Sequence, residues 1–114
     1  MVLSANDGGQ STVRSQVFDQ MNTSITWPSY FDGRALRNAT SVDWEAGEST
    51  EENRSRYQQA LRGADKGYGD TDQRSSVWCG TAVGLINEVE PAAQIVAHIR
   101  ASAQKLIGGL AYRL

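Results

Sequence analysis

Residues 76–110 read SVWCGTAVGLINEVEPAAQIVAHIRASAQKLIGGL, the stretch whose apolar pattern decides the fold class. A short apolar run from Val77 to Ile86 is punctuated by Gly80 and Gly84. After Pro91, the residues Ala92, Ile95, Val96, Ile99, Ala103, Leu106 and Ile107 recur at spacings of three and four. That periodicity predicts a helix whose stripe, about 100° wide, is buried on a core. Asn87, Glu88 and Glu90 stand where amide and acidic groups favour the unsatisfied N–H end of a helix. Pro91 suits a first turn, where its missing N–H is not needed. Gly108 and Gly109 supply the left-handed geometry that ends helices, so the helix is expected to stop there.

Working outward, 114 residues hold one domain or part of one. The apolar share is 39%, and much of it is concentrated towards the C-terminus, so the first two thirds are poor in core material. Eleven basic against thirteen acidic side chains give a net charge of −2, which offers no electrostatic footprint for nucleic acid or an anionic membrane. No apolar run approaches the ~20 residues that span a bilayer. Met1-Val2-Leu3-Ser4 does not read as a secretory signal, and a single cysteine fits a reducing compartment. The expectation is a soluble cytoplasmic protein, in which the sequons at Asn22, Asn38 and Asn53 mean little without export.

Along the chain, Asn6-Asp7-Gly8-Gly9-Gln10 is turn chemistry without the spacing of a phosphate-binding loop. Between Ser11 and Met21, Val13, Val17, Phe18 and Met21 recur at roughly helical spacing, while the pairs Thr12-Val13 and Val17-Phe18 favour strand; the reading is an extended start, with Asp19 opening a turn or short helix. Proline disfavours helix at Trp27, so Trp27, Tyr30 and Phe31 are expected in a loop that pins itself by burying its rings. They could alternatively wall a ligand site, and Arg34 and Arg37 with Asn38 either clamp an anion or anchor the loop on carbonyls. The polar stretch 41–50, broken by Trp44 and Gly47, offers no element of its own. Ser49-x-x-Glu52 is a capping box and Gly63 a stop, predicting a surface helix with a thin face of Tyr57, Ala60 and Leu61. A glycine- and aspartate-rich connection follows over 64–76.

These residues assemble no catalytic, cofactor or metal site by themselves. His98, the sole histidine, falls roughly 120° from the centre of the helical stripe, towards solvent. Cys79 follows Trp78 in a run expected to be buried, where a cysteine packs rather than reacts. One histidine and one cysteine cannot make a zinc site, and the carboxylates lack calcium-loop spacing. Glu51 and Glu52, adjacent on a helix, point about 100° apart and are no acid/base pair.

The pattern Trp78-x-Gly80-x-x-x-Gly84-Leu85-Ile86, then Glu88-Val89, then Pro91-Ala92-Ala93-x-Ile95-Val96, resembles the C-terminal end of the nitronate monooxygenase (2-nitropropane dioxygenase) family. Three further segments resemble it in the same order: Gln10 to Asp19, Trp27-Pro28 with Gly33 to Asn38, and Tyr57-x-x-Ala60-Leu61. Many relatives carry glutamine after the first glycine of the block, where this chain has Thr81. The resemblance implies an FMN-dependent oxidoreductase with an α/β TIM barrel, related to some enoyl and quinone reductases and acting on a nitronate-type small molecule. In that family the flavin phosphate is held by glycine-rich loops on the C-terminal face of the barrel, and a histidine from an earlier segment acts on the nitro compound. Both lie upstream of the matched region, so neither Gly8-Gly9 nor His98 is their counterpart.

Two expectations follow. The chain is a mainly helical C-terminal fragment with short extended segments, a loop-rich substrate-side region over 1–75 and an apolar run with its closing helix over 76–114. It binds no FMN alone and is inactive alone. Alternatively, it is a non-enzymatic remnant that meets a protein partner or a second copy through the C-terminal helix.

Overall fold

Ala35 and Leu36 are successive residues of one strand, so their side chains point to opposite faces, and each enters a different apolar cluster. The computed structural model describes residues 2–22, 27–28, 30–63 and 73–111. Strand β1 (Thr12–Ser15) pairs antiparallel with β2 (Gly33–Leu36) in the register Thr12 to Leu36 and Ser15 to Gly33. On the other edge of β2, Leu36 N donates to Val77 O at 2.9 Å and Cys79 N to Arg34 O at 3.1 Å. The segment around Trp78 therefore lies against β2 as a short third line, bridged between Ala35 and Trp78.

On one face, Ala35 packs with Val17, Phe18 and Met21 of helix α2 (Val17–Met21), and Val13, Trp44 and Tyr57 close over them. On the other, Leu36 packs with Ala5 and Val83, joined by Val2, Val77 and Cys79. A four-residue helix α1 (Gly8–Ser11) precedes β1; Asp7 caps it by accepting from Gly9 N at 2.8 Å and Gln10 N at 3.2 Å. The expected turn at Asn6 to Gln10 is thus a capped helical turn. The extended start followed by a short helix is observed, with the helix opening at Val17 rather than at Asp19.

Contrary to expectation, the stretch at 41–50 is not free of structure: helix α3 (Ala39–Glu45) occupies its first half. Asn38 caps α3 by accepting from Thr40 N and Ser41 N, while Ser41 Oγ accepts from Asn38 N at 3.1 Å. Gly47 follows with φ +86°, a backbone value that L side chains rarely adopt. Helix α4 (Thr50–Arg62) begins and ends as its signals predict: Ser49 Oγ accepts from Glu52 N, and Gly63 is the C-cap.

The small apolar core is supplemented by a buried polar seam. Asn38, Thr40, Ser41 and Asn53 are all fully buried. Asn38 Nδ2 donates to Ser75 O at 2.9 Å, Thr40 Oγ1 to Arg74 O at 2.9 Å, and Asn53 Nδ2 to Thr40 O at 2.8 Å. Arg74 reaches Asp43 at 2.6 Å and Asn53 Oδ1 at 3.3 Å. A buried amide is stable only when its donors and acceptors are matched, and here they lock the chain at 73–75 onto α3 and α4. Most of the connection at 64–76 lies outside the described residues.

Helix α5 (Ala92–Ala111) is present where the periodicity predicts it, opening directly after Pro91, whose carbonyl accepts from Gln94 N and Ile95 N. Two expectations about it are corrected. The stripe expected to be buried is exposed: Ile99 is 65% and Leu106 70% accessible, and every position from Ala92 to Leu110 faces solvent. Gly108 and Gly109 do not end the helix, which continues to Ala111, since glycine inside a helix costs only about 1 kcal/mol relative to alanine. The helix projects from the body, and the radius of gyration is 18.0 Å, against about 13 Å for a compact chain of this size. No described helix is long and apolar enough to cross a membrane.

Candidate functional site

The rings of Trp27, Tyr30 and Phe31 were expected to be buried, but all three are exposed. They pack on one another instead: Trp27 meets Phe31 edge-on at 5.9 Å, and Tyr30 lies 4.8 Å from Phe31. Trp78, also expected inside, is half-exposed on the outer edge of β2, where Phe18 supports it edge-on at 5.8 Å. Gly33 makes this position feasible, because any side chain there would overlap the six-membered ring of Trp78. Trp27, Phe31 and Trp78 are thus brought to one surface, whose polar lining is Asp19, Asn22 and Asp32. Sequence reading singled out the loop aromatics but not Asp19 or Trp78 as their neighbours, since the juxtaposition depends on pairing across β2.

Arg34, Arg37 and Asn38 are committed to anchoring. Arg34 Nη1 donates to Thr12 Oγ1 at 3.0 Å, Arg37 pairs with Glu45, and Asn38 donates to two carbonyls. A second hollow, about 260 Å³, lies beside Arg37 and Asn38 and is completed by Ser4, Gln10, Leu36 and Val42. Its cation is the one already held by Glu45.

Cys79 is half-buried at the edge of β2, and burial pushes its thiol up while the nearby Arg34 charge pulls it down more weakly. His98 stands on α5 with Nδ1 3.3 Å from Glu90 Oε2, in a different part of the molecule. Among the described residues no group of three His, Cys, Asp or Glu side chains could hold a metal ion.

The paired glycines Gly8 and Gly84 do not fit a flavin phosphate. A phosphate cradle needs backbone N–H groups facing open space. Gly8 and Gly84 instead close on each other: a Cβ on Gly84 would lie 2.7 Å from Gly8 N, and one on Gly8 would overlap the carbonyl of Thr81. These glycines bring α1 against the 3-10 turn at Thr81–Leu85, and no room for an anion is left between them.

Among curated proteins, the chain is 40% identical over 107 residues to a nitronate monooxygenase of Neurospora crassa, a match covering 94% of this chain and 27% of that protein. It is 32% identical over 106 residues to the nitronate monooxygenase npaC of Metarhizium robertsii, covering 93% of this chain and 29% of that protein. The chain therefore spans little more than a quarter of the length of these relatives. No family model matches it, and no solved structure does. Because both relatives match nearly end to end on this chain, it matches a C-terminal portion of the nitronate monooxygenase family.

Proposed function

We propose that this chain is the C-terminal portion of an FMN-dependent nitronate monooxygenase and does not turn over substrate alone. The parent reaction oxidises an alkyl nitronate with oxygen to a carbonyl compound and nitrite, the flavin carrying the electrons. The observation that carries this reading is the 40% identity running over 94% of the chain but 27% of the relative. Oriented cofactor and base supply the catalysis in such an enzyme, and the close approach of Gly8 to Gly84, which leaves no open phosphate cradle between them, supports inactivity of this chain alone. The exposed stripe of α5 is consistent with an element that packs on the greater part of the parent protein, which this chain does not span. The purified chain, given FMN and propionate 3-nitronate, is expected to show no oxygen uptake and no nitrite. Turnover above the flavin-only blank would overturn the reading.

A second, non-enzymatic reading is favoured by the spacing within α5. Ala92, Val96, Ile99, Ala103, Leu106 and Leu110 alternate steps of four and three, the seam by which two copies of a helix form a coiled coil. At about 60–120 Å² per buried apolar side chain, six pairs would cover about 700–1,400 Å², at the lower edge of a stable interface. In this reading the chain is a self-associating module. A single monomeric species in sedimentation at high concentration would remove its basis.

A further inference from the structure

The aromatic surface described above has a use that the proposed function does not absorb. It holds two adjoining hollows, about 330 Å³ and 230 Å³, that share Asp19 and Trp27. The first is completed by Asn22 and Trp78, the second by Phe31, Asp32 and Gly33. Trp27, Phe31 and Trp78 are 55%, 50% and 53% exposed, so three large rings border one surface without being covered. Exposed rings gathered at a concave site, rather than scattered singly, mark a recognition surface.

Charge decides what it recognises. Asp32 is answered by Arg14, which forms an ion pair with it. Asp19, on α2 and half-buried, has no hydrogen-bond or ion-pair partner for its carboxylate among the described residues. An anion entering here meets a carboxylate and the negative faces of aromatic rings, and is repelled. A neutral apolar ligand would strip water from Asp19 and return nothing to it. A small organic cation satisfies both linings: its charge faces Asp19, and its alkyl groups lie on the rings, whose quadrupoles attract it.

We propose that the cleft bounded by Trp27, Phe31, Trp78 and Asp19 binds a small alkylated ammonium ion. Asp19 supplies the counter-charge and the rings supply the walls. The site is built within this chain and does not depend on flavin or on the parent enzyme. Two of the three tryptophans border it, so binding is readable in their fluorescence.

The test titrates the purified chain with choline and, separately, with 3,3-dimethylbutan-1-ol, which has the same shape without the charge. Choline is expected to give a saturable change in tryptophan emission, with the neutral alcohol about tenfold weaker or more. Asp19→Asn should bring choline down to the level of the neutral alcohol while leaving the circular dichroism spectrum unchanged. Absence of saturation with choline, equal binding of the two alcohols, or full choline affinity in Asp19→Asn would each overturn the proposal. The comparison of the two ligands needs no variant, so it decides the matter even if the substitution perturbs the fold.

Discussion

Asn53 Nδ2 donates to the main-chain oxygen of Thr40 at 2.8 Å, and neither residue has measurable exposure to solvent. This bond joins α4 to α3 at a place where an apolar core would normally stand. Two small apolar clusters flank β2, and the helices beyond them are fixed through matched polar groups. Such a seam is demanding, because each member leaves a buried partner stranded when removed.

Asn53→Ala removes the donor to Thr40 O and the acceptor of Arg74 Nη1 together. The expected loss is about 2–3 kcal/mol, from two deleted bonds, one of them to a charged guanidinium. Urea unfolding monitored by circular dichroism measures it. Asn53→Asp should lose more, since a carboxylate would face the Thr40 oxygen. A midpoint unchanged in both variants would show that the seam contributes nothing.

The exposure of α5 separates two residues that sequence alone would treat alike. Phe18 is buried against Trp78 and the α2 cluster, so Phe18→Ala should cost about 3–5 kcal/mol. Ile99 faces solvent, so Ile99→Asp in the isolated chain should change stability by no more than about 0.5 kcal/mol. The same substitution lies on the seam of the second reading and should abolish any dimer. A loss for Ile99→Asp comparable to that of Phe18→Ala, with the chain held monomeric by dilution, would show that α5 folds back on the body.

Local signals carried well in this sequence and long-range ones did not. The Ser49 cap, the Gly63 stop and the start of α5 after Pro91 were legible because each depends on a few neighbouring residues. The stripe of α5 was legible as amphipathic, yet periodicity cannot say whether a partner surface lies within the chain, and here none does among the described residues. Helix α3 has no apolar stripe to betray it: Trp44 alone packs on the core, and the rest of its support comes from Asn38 and from buried polar contacts to Arg74 and Asn53. The cleft around Asp19 depends on β2 carrying Gly33 beneath Trp78, a pairing with no local signature.

The glycines give opposite expectations on the same substitution. Gly8→Ala would drive a methyl group into the carbonyl of Thr81, a backbone atom that cannot rotate away. That variant should lose several degrees in thermal midpoint or fail to fold, as overpacking costs about 1–3 kcal/mol. Gly109→Ala meets nothing within 4 Å and sits inside α5, so it should raise helicity and stabilise the helix by up to about 1 kcal/mol. Circular dichroism at 222 nm distinguishes the two. Equal tolerance of both would contradict the tight approach of α1 to the Thr81–Leu85 turn.

Cys79 supplies the pH dependence. Burial disfavours its thiolate, and although Arg34 opposes this, the thiol is held above its ordinary value. The folded chain therefore keeps the proton more tightly than the unfolded chain does. The stability linked to this group is fully present below the ordinary thiol pKa of about 8.5 and is lost as pH rises through the higher folded value. At pH 7.5 a disulfide reagent should label Cys79 more slowly than it labels the same thiol in urea, and the rate should climb further into the alkaline range than for a free thiol. Arg34→Ala removes the favourable charge and should shift that climb to still higher pH. Labelling as fast in the folded chain as in urea would mean that the edge of β2 leaves the sulfur in water.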